Sequence, residues 1–446
     1  MSLVFNLTAV FLSIVFVVIL TSKLKFNSFI SLLLASLLLG IFTSDLGKVV
    51  EVLKHGFGET LAHIGLIIIL GTTIGESLEK SGGAKSIAAF ILKLTGEKRT
   101  TRAMFISGFV TGMPIFCDSG FIVLSGISKS LALKSGVSRA ILSSALAGGL
   151  YVVHCLIPPH PGATAANGLL QSNIGMHIIW GLVIAIPVSI VSYLWIKFLA
   201  KKEKPVTVTN TNMIDEESEV MPNPLKALMV IFIPLVLISI KAIVSIFAKG
   251  EVSGIFKIIN FVGDPTIALL IGVAVSFVLL KKINIREVNG LLNQSIEKAG
   301  PIIAIIAAGG MFGAIIKSTQ IGTQLGEILA LTGLGIFIPF LIASLFKTAQ
   351  GSSTIAIITA ASIVNPMLSN LGLDSEMGKI FTLLALGAGS MMISHANDAF
   401  FWVIAKFADL DTQQTLRYYT SLSVVMGLSA IFFIWVLYMI VSNYQI

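Results

Sequence analysis

Residues Leu150–Ala166 read LYVVHCLIPPHPGATAA, and the interpretation of this stretch decides the fold. It opens as an apolar helix, then sets His154, Pro158, Pro159, His160, Pro161 and Gly162 within nine residues. A helix cannot continue through three prolines, because each lacks an N–H and clashes with the preceding turn. The flanks, Ala140–Val153 and Gly168–Ile184, are as apolar as membrane spans. At that depth the freed backbone groups must be buried in protein or face a water-filled cavity. A broken span carrying two histidines therefore reads as a binding site inside the membrane, the pattern of a secondary transporter.

Composition agrees. Of 446 residues, 55% are hydrophobic and only 12% charged, with a mean hydropathy of +0.95; soluble domains carry about 25% charged residues. The length gives room for roughly ten to twelve spans of about 20 residues. The net charge of +8 comes from bases at span ends rather than on one soluble face, which argues for topology and against nucleic acid as a partner. Cys117 and Cys155 lie in two chain breaks without disulfide or metal-ligand spacing, so they read as small buried hydrophobes, and neither a metal nor a cofactor is expected. Leu3–Leu20 lacks a basic n-region and runs straight into a second span, so no cleavable signal is expected.

Lys23 and Lys25 mark the end of the first span, Leu3–Leu20, as cytoplasmic. Phe29–Phe42 returns outward, a mixed-charge stretch follows through Asp45, Lys48, Glu51 and Lys54, and Leu61–Leu78 crosses back. Ala84–Leu94 is amphipathic and suits the interface. Ala103–Leu131 is interrupted at Gly112-Met113-Pro114 and Asp118-Ser119-Gly120 with bases at both ends, which predicts a re-entrant hairpin rather than a crossing. The broken span 140–170 exits and Ile178–Leu199 returns. Lys201–Pro224, rich in Thr, Asn, Glu and Pro, reads as a cytoplasmic linker.

The second half repeats this plan. Leu225–Phe247 goes out, Ile267–Leu280 comes in to Lys281, Lys282 and Arg286, and Pro301–Ile316 goes out. A hairpin over 336–364 breaks at KTAQGSST (Lys347–Thr354), and a second broken span over 380–404 is interrupted at SHAND (Ser394–Asp398), before Leu416–Ile440 closes the chain. Ile74–Gly96 aligns with Phe312–Gly333 through shared Gly, Leu and a terminal Leu-Thr-Gly. Two units of about five spans each, 1–200 and 225–446, must then have opposite orientation. The expected fold is an all-α polytopic membrane protein built of two inverted repeats, each with a re-entrant helical hairpin and a broken helix, and with both termini outside.

CDSGF (Cys117–Phe121), HCLIPPHPG (His154–Gly162), AQGSSTIA (Ala349–Ala356) and SHANDAFFW (Ser394–Trp402) resemble the signatures of the gluconate permease family of the ion transporter superfamily, along almost the whole chain. The resemblance implies proton-coupled uptake of gluconate or a related small hydroxy acid, with D-glycerate, D-serine and sugar acids as candidate cargo. It also implies an elevator-type transporter in the bacterial cytoplasmic (inner) membrane, built as a homodimer. The chain departs from the family pattern in Lys347-Thr348, where relatives carry arginine nearby, and this leaves the basic partner of the substrate open.

Helix starts at the breaks expose unpaired N–H groups that suit a carboxylate. Ser352, Ser353 and Thr354 follow Gln350-Gly351 where such a helix begins, and Ser119 takes the matching place in the first hairpin; simple capping of a buried helix end is the alternative. All five arginines (Arg99, Arg102, Arg139, Arg286, Arg417) lie at span ends, which leaves Lys347 either to serve the site or to snorkel from a hairpin end. Asp118, in an apolar hairpin, and Asp398 are candidate proton carriers, with permanent pairing as the alternative. His154, His160, His395 and Asn397 are candidates for substrate hydroxyls, and His154 and His395 also for proton relay. A sodium-coupled carboxylate carrier or a cation/proton antiporter of the same architecture remains open. An intramembrane enzyme is disfavoured by the absence of HExxH and GxSxG patterns.

Overall fold

A computed structural model describes residues 3–96, 99–203, 221–247, 254–280, 284–318 and 321–443, and every regular element among them is a helix. The first half comprises α1 (Leu3–Val18), α2 (Ser28–Thr43), α3 (Leu46–Lys80), α4 (Gly83–Thr95), α5 (Thr100–Thr111), α6 (Cys117–Ser135), α7 (Arg139–Leu156), α8 (Pro161–Leu170) and α9 (Ile174–Lys201). The second comprises α10 (Pro224–Phe247), α11 (Gly254–Val262), α12 (Pro265–Ser276), α13 (Ile285–Ser318), α14 (Ile321–Ala330), α15 (Phe337–Gln350), α16 (Ser353–Val364), α17 (Glu376–Ser390), α18 (Ala399–Ala408), α19 (Thr412–Thr415) and α20 (Ser421–Asn443). Starts are written locally: the side chains of Asn27, Asp45, Ser138, Asn173 and Ser375 each accept a backbone N–H of the helix that follows.

The helices break at all four expected places, between α5 and α6, α7 and α8, α15 and α16, and α17 and α18. The span count is lower than expected. Among the described residues six helices, or seven if the α11–α12 pair bent by 66° is one span, are long and apolar enough to cross a membrane. Helix α2 has 16 residues, or about 24 Å, short of a hydrocarbon core of about 30 Å, whereas α1 runs on through a π-helical turn, Ile19–Lys23. The mixed-charge stretch from Lys48 to Lys54 is the opening of α3, a single helix of 35 residues, and α11 lies where the sequence predicts no element. Most of the expected linker, 204–220, and Lys281 and Lys282 lie outside the described residues.

Helices α3 and α13 pack along their lengths in opposite directions. Thr60 lies against Gly310, Glu76 accepts from Lys298, and Lys80 donates to Gln294, so one number rises as the other falls. A Cβ on Gly310 would sit 2.0 Å from Thr60 Oγ1, so only glycine permits this approach. Helix α7 is the opposite case to a surface helix: every residue from Ala140 to Leu156 is buried, among α5, α6, α9, α17 and α18. A helix apolar all round belongs inside a large protein or bundle. At the end of α18, Asp409 meets Lys129 at 2.6 Å and Arg139 at 3.3 Å, and Lys129 foremost holds its carboxyl below the usual carboxylate range. This ties the second broken span to the first hairpin.

Candidate functional site

Four helices begin around one cavity of about 400 Å³. Cys117 and Asp118 open α6, Pro161 opens α8, Ser352, Ser353 and Thr354 open α16, and Asp398, Ala399 and Phe400 open α18. Each start is forced by a break that the sequence writes in proline, glycine or short polar residues. Each presents unpaired N–H groups and roughly half a positive charge, so four of them together make a strong anion-binding focus. The Ile355 N–H donates to Ser352 Oγ at 3.3 Å, and the Phe400 N–H donates to Asp398 Oδ1 at 3.0 Å. Helix α6 has no side-chain cap, which leaves its first N–H groups to the cavity, while α8 is likewise uncapped but opens on Pro161, which has no N–H of its own.

The walls carry neutral polar groups in need of partners. His154 Nδ1, Asn397 Oδ1 and both amide atoms of Gln350 are buried without a hydrogen-bond partner among the described residues, and all three residues line the cavity. A buried unsatisfied polar atom costs about 1–3 kcal/mol and calls for an explanation. Four such atoms around one space are what a ligand bearing hydroxyl groups would satisfy. Tyr151 stacks on His154 with ring centroids 6.3 Å apart, and Thr21, Lys25, Phe116 and Ile302 complete the lining.

Eight of the expected site residues thus meet at this cavity: Asp118, His154, Gln350, Ser352, Ser353, Thr354, Asn397 and Asp398. The others do not line it. Ser119, one residue along α6, lines a separate small pocket with Glu76, Glu79, Lys298 and Pro114, because successive helical residues point about 100° apart. His160 stands behind His154 with ring centroids 4.8 Å apart, and its Nε2 lies 2.5 Å from the Gly112 carbonyl oxygen, which clips the first break to the first hairpin. His395 does the same for the second pair: its Nε2 lies 3.2 Å from the Thr348 carbonyl oxygen, which also accepts from Asn397 Nδ2 at 2.7 Å.

Lys347 does not snorkel. It is 0% exposed; its Nζ lies 2.6 Å from Asp398 Oδ2 and donates to the Gly351 carbonyl at 2.5 Å. Asp398 also accepts from Ser394 Oγ. Asp398 is therefore a paired, helix-capping carboxylate, while Asp118 has only Cys117 Sγ, at 3.9 Å, as its hydrogen-bond partner and no cation within ion-pair distance among the described residues. Tyr151 was not singled out from the sequence, although it lies three residues before His154, on the same face of α7.

Gly351 makes the joint possible. Its φ is +87°, and a Cβ there would sit 2.1 Å from the Asn397 carbonyl oxygen. Substituting Gly351→Ala is expected to destabilise the protein by more than about 2 kcal/mol and to cut transport at least tenfold. Thermal unfolding in detergent and uptake measured on equal amounts of folded protein would check both; a variant indistinguishable from wild type in the two assays would mean that the joint is not tight.

Residues 5–440 match the family model described as GntP family permease. The chain is 29% identical over 434 residues to the gluconate permease of Pseudomonas aeruginosa, covering 95% of each chain. It is 30% identical to the Gnt-II system L-idonate transporter of Escherichia coli, covering 91% of this chain and 93% of that one. Among solved structures it is similar in fold to the YdaH transporter of Alcanivorax borkumensis, with a TM-score of 0.64 at 15% identity over 91% of this chain and 96% of that one.

Proposed function

This chain belongs to the GntP permease family, whose members are multi-pass membrane transporters and not enzymes, and from that premise we propose that it is a proton-coupled importer of gluconate or a related small hydroxy acid in the bacterial cytoplasmic membrane. The observation that carries the proposal is the meeting of four helix N-termini with four unpartnered neutral polar atoms in one cavity. The N-termini suit one carboxylate, and the amides and imidazole suit several hydroxyls. In this reading the start of α16, with Ser352, Ser353 and Thr354, holds the carboxylate. Gln350, Asn397 and His154 hold the hydroxyl-bearing tail, and Asp118 carries the proton. Asp398 pairs with Lys347 and caps α18.

The recurring order of hairpin, broken span and long helix, together with the opposed run of α3 and α13, supports two inverted repeats over 1–200 and 225–446, joined by the cytoplasmic linker 201–224, with both termini outside. Helices α5–α8 and α15–α18 then form the body that carries the cavity in an elevator movement past α3 and α13, and the dimer supplies the scaffold. Lys25, at the end marked cytoplasmic by its charge, lines the cavity, so the form described here is open to the cytoplasm. A monovalent acid entering alone works against an inside-negative potential at about 2.3 kcal/mol per 100 mV, and one accompanying proton removes that cost.

Labelled gluconate uptake into proteoliposomes under an imposed pH gradient, without sodium, tests the proposal. Accumulation collapsed by a protonophore is expected, and competition by D-glycerate, D-serine and fructuronate ranks the cargo. Uptake that requires sodium would replace proton coupling with sodium coupling, and no uptake of any acid would overturn the substrate class. Ser352→Ala and Ser353→Ala are each expected to raise KM tenfold or more, since a hydrogen bond to a charged group is worth about 1.5–3 kcal/mol. Unchanged KM in both would remove the start of α16 from the site.

A further inference from the structure

A second, larger cavity of about 780 Å³ lies where α8 and α16 end rather than where they begin. Helix α8 runs from Pro161 at the central cavity to Leu170 at the outer one, and α16 runs from Ser353 to Ser362. About ten residues of helix separate the two, roughly 15 Å. Between them Ile64 and Ile68 of α3, Ala165 of α8, Ala299 and Ile306 of α13 and Ile358 of α16 close into an apolar cluster of their own. Ile302 and Leu169 pack against this cluster; the first lines the central cavity and the second the outer one. The two cavities thus face each other across one apolar barrier built by the same helices.

Three lysines line the outer cavity: Lys48, Lys317 and Lys379. Helix stability does not account for two of them. Lys48 is the third residue of α3 and Lys379 the fourth of α17, where the positive end of the helix disfavours a cation. Topology does not account for them either, since bases gather at the cytoplasmic ends, the side marked by Lys25, and these three lie beyond the barrier from it. No carboxylate lies within ion-pair distance of any of the three among the described residues. The acids of this cavity, Glu51 and Glu59, are both on α3. Glu59 is already engaged, accepting from Gln171 at 2.8 Å and lying 3.5 Å from His55. Lys317 on α13 and Lys379 on α17 stand on other elements and are open to a ligand.

We propose that this vestibule is a carboxylate-binding entry site, in which Lys317 and Lys379, assisted by Lys48, hold the carboxylate of an incoming monocarboxylate before the apolar barrier opens. The inference rests on the reading of the chain as a carboxylate importer and adds to it a second station on the far side of the barrier. Capture of this kind acts on arrival and not on translocation, so it governs kcat/KM and weakens with salt.

The test is gluconate uptake by wild type and by Lys317→Gln/Lys379→Gln in proteoliposomes at low and at high ionic strength. At low salt the double variant is expected to lose about tenfold in kcat/KM with kcat unchanged, and the deficit should shrink to less than twofold at high salt. Lys317→Arg/Lys379→Arg should behave as wild type. Equal kcat/KM in variant and wild type at both salts would overturn the entry site while leaving the importer reading intact. So would a fall in kcat that arginine does not rescue. A wild-type protein silent toward gluconate would instead overturn the importer reading, and the entry site with it.

Discussion

Lys347→Met is expected to cost about 3–5 kcal/mol and to remove most folded transporter from the membrane, while Lys347→Met/Asp398→Asn recovers much of the loss. The single change leaves Asp398 as a buried carboxylate without its cation, against a total stability of roughly 5–15 kcal/mol for a folded protein. Among the described residues no other cation pairs with it: its other partners are Ser394 Oγ and the Phe400 N–H. The ammonium also donates to the Gly351 carbonyl and sits 5.6 Å from the centroid of the Tyr151 ring, so the end of α15, the start of α18 and the core of α7 all lose a contact at once. Asparagine at 398 keeps a side-chain acceptor for the start of α18 without a charge, and asparagine caps about as well as aspartate. Thermal unfolding in detergent, read for wild type, the single variant and the pair, decides the point. A single variant that melts like wild type would show that the ion pair contributes nothing. A pair no more stable than the single variant would show that the lysine works through something other than Asp398.

The same residue shows where the sequence was legible and where it was not. Proline, glycine and short polar residues inside long apolar runs announce a break whatever surrounds them, so all four helix breaks could be read directly. The convergence of Asp118, His154, Ser352 and Asn397 followed from those breaks, because helices that stop inside a membrane must share an interior. Lys347 could not be placed the same way. A lysine near a hairpin end can reach water or a buried partner, and the partner that decides it lies 51 positions further on. Ser119, His160 and His395 lie off the cavity for a finer reason. A neighbour of a site residue points elsewhere once the helix turns or the loop folds back onto a carbonyl, and chain proximity does not report that rotation. The span count failed on length: α2 is apolar but only 16 residues, and hydropathy alone does not separate a crossing helix from a shorter buried one.

Asp118→Asn is expected to abolish accumulation driven by a pH gradient while exchange of internal for external substrate continues. The cavity holds two carboxylates, and only one has a cation: Asp398 is bound to Lys347, and Asp118 is not bound to any among the described residues. A substrate carboxylate arriving at the start of α16 therefore meets the Asp118 charge across the same small space. Two unit charges about 6 Å apart at an effective dielectric of about 20 repel by about 3 kcal/mol, which is about a hundredfold preference for the substrate to bind together with a proton. That mutual exclusion of charges is the coupling, and it needs no direct contact between proton and substrate. Asparagine keeps the shape and the hydrogen bonding of the aspartate but holds no exchangeable charge, so substrate binding becomes indifferent to the proton. In wild type KM should rise as the external pH rises, because the protonated carboxyl becomes scarce; in the variant KM should be flat across the same range. Counterflow and gradient-driven uptake, measured side by side in proteoliposomes, separate the two functions. Continued accumulation by the variant, still collapsed by a protonophore, would move the proton to another group. His154 would then be the first to test, since its Nδ1 is buried at the same cavity without a partner.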